Sequence, residues 1–293
     1  EKVLIGKIGE AALLEEMAEI AISHAYPKIV VAEKIDALGR PEVRITKIAH
    51  GNPLEFTITT AVFPEIVLPD YKTLAKKNGK KGDPVVVTDE DITKTIDQIR
   101  RMRGQQEAQK DGKEFDEALP LPEIDDEFVK TLGEFKSVEE LKVKLRENIL
   151  REKEREAEDK RRIAVMDAIA GATKLELPDI IIEQETKRME DEMTADIARM
   201  GLDFEGYLKA INKTREEMYA TWKPDAEKRA KIQMLIGKIA DVEKLEPDHA
   251  LVERDAKALR ERYPDAPEER VHSYVHMLLT NEQVFKFLLG HAE

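Results

Sequence analysis

Histidines are the side chains in this 293-residue chain that most resemble metal ligands. His272 and His276 are four residues apart, which places both imidazoles on one face of a helix. A zinc-hydrolase helix needs a glutamate next to the first histidine, but Ser273 occupies that position. The other histidines are isolated in sequence. We therefore predict solvated or partly packed histidines and no metal site.

Other patterns that could support catalysis are equally incomplete. The segment Gly79-Lys-Lys-Gly82 lacks the spacing and the strand-to-helix context of a phosphate-binding loop, so we expect a flexible linker there. Acidic residues occur throughout the chain, so neighbouring carboxylates carry no information about acid–base catalysis. The chain has no cysteine, which excludes thiolate chemistry and disulfides. The sequence predicts no catalytic residue and no cofactor.

The composition restricts the partners and the cellular location that we expect for the protein. A net charge of −13 argues against general nucleic-acid binding, because neutralising phosphates needs a basic surface. No apolar run approaches the ~20 residues of a membrane span, and no signal peptide is visible. Together with the lack of cysteine, this predicts a cytoplasmic protein that does not contact membranes. The chain begins at Glu1 rather than at a methionine, so we expect residues upstream of it.

A long helix from Ser137 to Thr173 is the element around which the rest of the chain is organised. It opens with a capping box, Ser137-Val-Glu-Glu140, and apolar residues then recur at helical spacing. Its middle, Arg151 to Arg162, has one alanine and no larger apolar residue. A helix of roughly 35 residues is on the order of 50 Å long. We predict that its ends pack and that its middle is exposed to water, the alternative being a charged partner surface.

The N-terminal part predicts a small α+β unit. Ala11 to Tyr26 has helical periodicity, and we expect Pro27 to end that helix. Pro41 to Ile48 and Leu54 to Val62 alternate as strands around a turn at 50–53, which predicts a hairpin.

A linker is predicted next, from Pro69 to Pro84, where the composition shifts to Lys, Gly, Asn and Asp. Val85 to Val87 is a candidate short strand, and Thr88 is predicted to cap a helix that ends near Arg103. The polar residues 104–122 are predicted to be irregular.

After the long helix the pattern predicts further helices and, from Ile124 onward, no strand. Proline at helix starts, glycine at helix ends and capping boxes at Thr214 and Thr280 set the boundaries. The predicted helices are Pro178 to Met200, a helix after Thr214, one opening at Pro224, and then Pro247 to Tyr263, Pro267 to Leu279 and Thr280 to Leu289.

One apolar stripe on the helix after Pro178 is rich in methionine. It consists of Ile182, Met189, Met193, Ile197 and Met200. A helix buried against its neighbour would have this pattern. The alternative is a partly exposed groove for apolar segments of other chains, because flexible, polarizable methionine is common on surfaces with many partners.

Several short motifs, taken in order, resemble those of the trigger factor family of bacterial ribosome-associated chaperones. In the first part of the chain they are Ala12–Met17, Gly39–Val43, Leu54–Ile58 and Phe63–Tyr71. In the second part they are Leu121–Val129, Leu175–Ile180 and Lys228–Ile239. Each motif is short, but their shared order extends over nearly the whole chain.

The resemblance has two departures. The family's basic ribosome-docking loop, with its Gly-Phe-Arg signature, would lie upstream of Glu1. The family also usually inserts an FKBP-like prolyl isomerase before the motif at Leu121. The segment between Arg103 and Leu121 is too short for a domain, which rarely has fewer than ~50 residues. The resemblance therefore implies a member without isomerase activity.

The resemblance also implies a division into three parts. Residues 1–68 correspond to the second half of the ribosome-binding N-terminal domain, residues 69–123 to a linker with a helix at about 88–103, and residues 124–293 to the helical substrate-binding domain. The expected fold class is mainly α, with a small α+β N-terminal fragment and an extended all-helical C-terminal domain that carries arm-like projections.

The implied function is that of an ATP-independent holdase for apolar segments of nascent or unfolded polypeptides near the ribosome tunnel exit. The expected contact residues are the methionine stripe with Phe204 and Tyr207, and, on a second arm, Leu259, Tyr263, Val271 and Tyr274. A non-catalytic helical adaptor with a single protein partner is the alternative function, and an isomerase whose catalytic domain has been deleted is a third. Whether the free protein forms a homodimer stays open.

Overall fold

A computed structural model describes residues 10–49, 51–110, 123–133 and 135–292 of the chain. Within these ranges the protein is mainly α-helical and has one two-stranded sheet near its N-terminus, which confirms the predicted fold class. None of the helices in these ranges combines the length and the apolar character that a membrane crossing requires.

The N-terminal part is a helix followed by a β-hairpin, as predicted. Helix α1 spans Glu10–Ala32, and strands β1 (Ala37–Lys47) and β2 (Glu55–Val62) pair in antiparallel register. On β2 the half-buried side chains alternate with exposed ones, as a strand with one covered face requires. The Tyr26 hydroxyl donates to Thr60 Oγ1 at 3.0 Å and ties α1 to the sheet.

The predicted end of α1 at Pro27 is wrong, because the helix continues through this proline to Ala32. A proline removes one backbone donor and strains one turn. Residues at helical spacing on either side still pack, with Ile22 buried and Tyr26 and Val30 half-buried. This packing continues across the proline and maintains the helix.

The predicted linker contains a helix of its own. Helix α2 spans Tyr71–Asn78, where the Asp70 carboxylate accepts from the Thr73 N–H at 3.1 Å and Ala75 is fully buried. The candidate strand at 85–87 is wrong, since these residues have no regular structure. The lysine-rich composition concealed α2, because its lysines lie on an exposed face.

Helix α3 (Asp89–Lys110) begins where Thr88 predicted it. The Thr88 hydroxyl accepts from the Asp91 N–H at 3.2 Å, and the Asp91 carboxylate accepts from the Thr88 N–H at 2.8 Å. The helix continues beyond Arg103 to Lys110, so the first part of the segment predicted to be irregular is helical. The rest of that segment lies outside the described residues.

The long helix α5 (Val138–Ala172) has the predicted bounds, and a short helix α4 (Asp126–Lys130) precedes it. Ser137 Oγ accepts from the Glu140 N–H at 3.3 Å, as a capping box requires. The Glu140 carboxylate accepts from the Lys136 N–H at 2.8 Å instead of returning to Ser137. The predicted water-exposed middle is wrong for one face, where Lys153 and Arg161 contact the carbonyls of Val86 and Gly79 in the α2–α3 connection.

Five helices follow α5. They are α6 (Asp179–Arg199), α7 (Phe204–Ala210), α8 (Arg215–Glu243), α9 (His249–Arg262) and α10 (Glu268–Gly290). The capping box at Thr214 is present as predicted, with both of its hydrogen bonds. Among the described residues from Ile124 onward there is no strand, in agreement with the sequence.

Two predicted boundaries in this region are wrong. Pro224 lies inside α8 and does not open a new helix. Thr280 lies inside α10 and does not cap one, because its hydroxyl donates to the His276 carbonyl at 2.8 Å, one turn earlier in the same helix. The residue types in a Thr-x-x-Gln sequence match those of a capping box. The threonine acts as a cap, however, only where the preceding backbone is not helical.

The backbone contacts divide the chain into two compact units. One consists of Glu1–Pro69 and Ala170–Val284, and the other of Asp70–Ile169 and Phe285–Glu293. The division by function at residues 68 and 123 stays a prediction.

Candidate functional site

An apolar cluster holds the connection between α6 and α8 in place. Ile197, Phe204, Leu208 and Met218 are buried in it, and the half-buried side chains Met193, Tyr207 and Trp222 pack against it. Because α7 supplies two of the buried side chains, the turn between the two long helices is a packed structure. We refer to α6, α7 and α8 together as the α6–α8 hairpin.

A buried carboxylate adds a polar layer to the same hairpin. The Glu190 side chain is 5% exposed, and its carboxylate contacts Lys187 Nζ at 2.9 Å and Arg215 Nε at 3.4 Å. The Tyr219 hydroxyl also donates to it. Burial raises the pKa of Glu190, but the hydrogen bonds from Tyr219 and Lys187 and the two positive charges outweigh burial and hold the pKa below its usual value.

The predicted methionine stripe is divided by burial. Ile182 and Ile197 are buried, Met189 and Met193 are half-buried, and Met200 is 67% exposed. The two isoleucines therefore belong to the packed interior, and Met200 alone stands largely free at the surface. The buried interpretation is therefore correct for Ile182 and Ile197, and the groove for apolar segments of other chains stays a prediction for the other members.

The connection around α7 exposes apolar side chains that sequence reasoning missed. Leu202 is 55% exposed and Ile211 is also exposed, one on each side of α7, while Phe204 is buried and Tyr207 is half-buried. Leu202 and Ile211 lie outside the helices, so helical periodicity cannot detect them. With Met200 they form what we call the α7 surface.

The α9–α10 hairpin has its own apolar interior. Val252, Ala256, Val271 and Val275 are buried there, with Leu259 half-buried against them. Of the second-arm residues predicted as contacts, Val271 is thus buried inside the hairpin, and Leu259 packs against this interior with part of its side chain exposed. Tyr263 and Tyr274 are 54% and 49% exposed. Leu251 and Leu278, which were not predicted, are exposed as well.

A cleft between α9 and α10 has a volume of about 680 Å³ and is lined mainly by charged side chains. His272 Nε2 lies 3.1 Å from Glu253 Oε1, and His249 Nε2 lies 3.9 Å from the same oxygen. His276, the predicted neighbour of His272, contacts Thr280 of its own helix. Within the ranges described, no group of three or more His, Cys, Asp or Glu side chains is arranged to hold a metal ion.

A smaller pocket of about 350 Å³ lies between α6 and α8. Ile182, Thr186, Tyr219 and Ala220 line it together with the charged residues Asp179, Glu183 and Lys223. Lys223 Nζ contacts Asp179 Oδ1 at 3.1 Å, so an ion pair lies beside the apolar lining. The hairpin thus offers both an apolar turn and an apolar recess with charge around it. These features can bind apolar side chains.

Two family models match the chain. The model described as the C-terminus of bacterial trigger factor protein matches residues 137–290, and the model described as bacterial trigger factor protein matches residues 1–99. Together they cover the N-terminal α+β part and every helix from α5 onward.

Curated relatives extend over the same regions. A trigger factor of Caldicellulosiruptor saccharolyticus is 23% identical over 330 residues, covering 87% of this chain and 75% of the relative. A trigger factor of Rhodococcus jostii is 26% identical over 350 residues, covering 92% of this chain and 73% of the relative. A solved structure, from work on promiscuous substrate recognition in folding and assembly by the trigger factor chaperone, covers 100% of this chain and 87% of its own at 14% identity, with a TM-score of 0.48.

Proposed function

The chain belongs to the bacterial trigger factor family and is a chaperone; from this premise we propose that it is an ATP-independent holdase for apolar segments of nascent or unfolded polypeptides. The observation that carries the proposal is the apolar surface on both hairpins. Met200, Leu202 and Ile211 are exposed on one hairpin, and Tyr263 and Tyr274 on the other.

Exposed apolar side chains of this kind support weak, plural binding. A client that covers them gains roughly 25 cal/mol for each Å² of apolar area removed from water. Because the contacts are dispersed, no single client geometry is demanded, and the ordering cost stays low. Weak contacts also let the client dissociate without nucleotide hydrolysis.

Independence from ATP agrees with the surroundings of Gly79. This glycine is buried at the end of α2, and its carbonyl accepts from Arg161 Nε at 2.7 Å. A phosphate-binding loop needs backbone N–H groups turned toward the ligand between a strand and a helix. The Gly79–Gly82 segment connects two helices and is therefore a structural connection.

The proposed contact residues follow from exposure. Among those predicted from sequence we propose Met189, Met193, Met200, Tyr207, Leu259, Tyr263 and Tyr274, which are half-buried or exposed, and we add Leu202 and Ile211. We assign the buried residues Ile182, Ile197, Phe204 and Val271 a supporting role, in which they hold the exposed residues in place.

We further propose that the chain does not catalyse prolyl isomerisation. Residues 100–136 separate the two matched segments, and a separate domain rarely has fewer than ~50 residues. The alignments of 330 and 350 positions exceed the 293 residues of this chain, so these relatives contain residues without a counterpart here. An isomerase assay on a proline-containing peptide should give the uncatalysed rate.

The proposed location is the cytoplasm, near the ribosome tunnel exit. The family match at residues 1–99 supports docking through the N-terminal part. The net charge of −13 disfavours binding of this chain to nucleic acids in general and to acidic clients. A second copy of the chain, in a homodimer, is a further proposed partner.

A binding measurement tests the proposal. A fluorescently labelled, permanently unfolded polypeptide is titrated with the full chain, and the anisotropy is compared with that of the same polypeptide in its native fold. A holdase raises the anisotropy of the unfolded form alone, equally with and without ATP. An adaptor with one specific partner leaves both forms unbound, and that result would refute the proposal.

A further inference from the structure

The connection between α2 and α3 lies along one face of α5 and is held there by polar contacts. Arg161 Nε donates to the Gly79 carbonyl at 2.7 Å, and Arg146 contacts Asp89 Oδ1 at 2.9 Å. Between them, Lys153 Nζ contacts Asp91 Oδ2 at 2.6 Å and the Val86 carbonyl at 3.4 Å. We call residues 79–91 the strap; its last three residues form the first turn of α3 and move with that helix.

The three cations form one stripe on α5. Arg146, Lys153 and Arg161 are separated by seven and eight residues, close to two helical turns each, and so lie on the same side of the helix. Gly79, Val86 and Asp89, which contact Arg161, Lys153 and Arg146, occur in reverse order along the strap, so its course from Gly79 to Asp89 is antiparallel to α5. The charged middle of α5 thus carries a binding face for a segment of its own chain.

Apart from the buried Gly79 at its start, the strap is held by little apolar burial. Val86 is 67% exposed, and Val85 and Val87 are half-buried. The buried apolar anchors are outside it or at its edge, at Ala75 in α2 and Ile92 in α3. Between these anchors, polar contacts provide most of the attachment.

Contacts of this type are weak and sensitive to salt. Exposed ion pairs contribute about 0–1 kcal/mol each, and screening shortens the reach of exposed charges from ~10 Å at 0.1 M salt to ~3 Å at 1 M. Segments with few apolar contacts open locally while the rest of a protein stays folded. The exposed Arg146–Asp89 pair meets the first condition fully and the partly buried Lys153–Asp91 pair meets it in part. Residues 80–88, which have no regular structure, meet the second.

We propose that the strap is an electrostatic latch, which is docked on α5 at low ionic strength and opens as ionic strength rises while α2, α3 and α5 stay helical. Opening exposes Val85 and Val87 and uncovers the cationic stripe. This device is separate from the client-binding proposal, because it involves neither the α6–α8 hairpin nor the α9–α10 hairpin.

The test uses the absence of cysteine from the chain. Spin labels are attached at Asp83→Cys on the strap and at Glu156→Cys on α5, and their distance distribution is measured by pulsed electron paramagnetic resonance in the full chain. At about 20 mM salt we expect one narrow, short distance, and at about 1 M a broad distribution at longer distances.

Two charge variants sharpen the test. Lys153→Met keeps the aliphatic stem but removes the charge at the centre of the stripe, and it should broaden the distribution already at low salt. Lys144→Met is the matched control, because Lys144 lies on the opposite side of α5 and contacts Glu147 of the same helix at 3.0 Å. Circular dichroism monitors helicity in each sample.

The outcomes are decisive either way. Salt-dependent broadening at constant helicity, reproduced by Lys153→Met and absent in Lys144→Met, supports the latch. A narrow distribution that persists at about 1 M salt in the wild-type background overturns it, whatever the variants do. Broadening that only accompanies a loss of helicity also overturns it, because the strap would then open only by unfolding.

Discussion

The Tyr219 hydroxyl in α8 donates a hydrogen bond to the buried carboxylate of Glu190 in α6. Lys187 contacts the same carboxylate oxygen from one turn earlier in α6, at 2.9 Å. The two long helices of the α6–α8 hairpin are therefore joined by a buried charge as well as by apolar packing. Since the α7 surface lies in the connection between these helices, the polar layer helps to support it.

Removing one partner of this carboxylate should destabilise the hairpin. Tyr219→Phe keeps the ring but deprives Glu190 of a donor, and a buried group left short of a partner costs roughly 1–3 kcal/mol. We expect a lower Tm in thermal unfolding followed by circular dichroism. Tyr207→Phe in the same hairpin is the control, because the Tyr207 hydroxyl has no hydrogen-bond partner among the described residues. Equal decreases in Tm for Tyr219→Phe and Tyr207→Phe would contradict the stabilising role assigned to the hydrogen bond between Tyr219 and Glu190.

The same carboxylate predicts a pH dependence. The pKa of Glu190 is below its usual value of 4.5 in the folded protein, so its contribution to stability is fully present above that value and is lost as pH falls through the folded pKa. Glu190→Gln should therefore be less stable than wild type at pH 7. The difference in free energy of unfolding between the two proteins should become smaller as the pH drops below about 4.5. Urea titrations at several pH values measure the free energy of unfolding of both proteins. A difference between them that does not change with pH would contradict the prediction.

An alanine at Gly39 should destabilise the protein more than an alanine at a glycine with open space around it. Its φ is +67°, and a Cβ built there would lie 2.0 Å from Ile180 Cδ1 of α6. Gly51 has a similar φ of +77° but open space around it. Gly51→Ala therefore reports the backbone strain alone, about 1–2 kcal/mol, and Gly39→Ala should cost more in urea unfolding. Equal decreases in the free energy of unfolding for Gly39→Ala and Gly51→Ala would contradict this prediction and mean that the Ile180 side chain moves aside freely.

Pro224 should be replaceable with a gain in stability. It lies in the interior of α8, where its ring removes the hydrogen bond to the Ala220 carbonyl. Pro224→Ala restores that bond and should raise Tm, with up to ~3 kcal/mol available from helix propensity. Asp225→Ala, at the exposed neighbouring position, controls for propensity alone. A fall in Tm for Pro224→Ala would mean that packing between α6 and α8 requires the proline.

Local signals in the sequence located most helix starts. Thr88, Ser137 and Thr214 each cap the helix predicted from it, because a capping residue acts on the turn beside it. Pro27 and Pro224 misled, since tertiary packing on both sides of a proline can maintain a helix through it. Boundaries that depend on packing are not encoded locally.

The surfaces were harder to predict. Periodicity identifies the apolar face of α6 but cannot tell which part α8 covers, so Ile197 and Met200 looked equivalent although one is buried and the other exposed. The partners of Lys153 in the strap are more than 60 residues away in sequence, and no local pattern links them to α5. Leu202 and Ile211 lie outside the helices, where helical periodicity does not apply.

The most direct test of the chaperone account is suppression of aggregation. A chemically unfolded client that folds independently of proline isomerisation is diluted into buffer without nucleotide, and light scattering is followed at increasing amounts of the full chain. The variant Met200→Ser/Leu202→Ser/Ile211→Ser removes the α7 surface. Val143→Ser/Ile163→Ser is the matched control, because these side chains of α5 are exposed to a similar degree.

The account predicts dose-dependent suppression by wild type and by the control, and at least a severalfold loss of potency in the α7-surface variant at unchanged helicity. Equal potency of all three proteins would contradict the assignment of the α7 surface. No suppression by a fully folded wild-type protein would contradict the holdase itself.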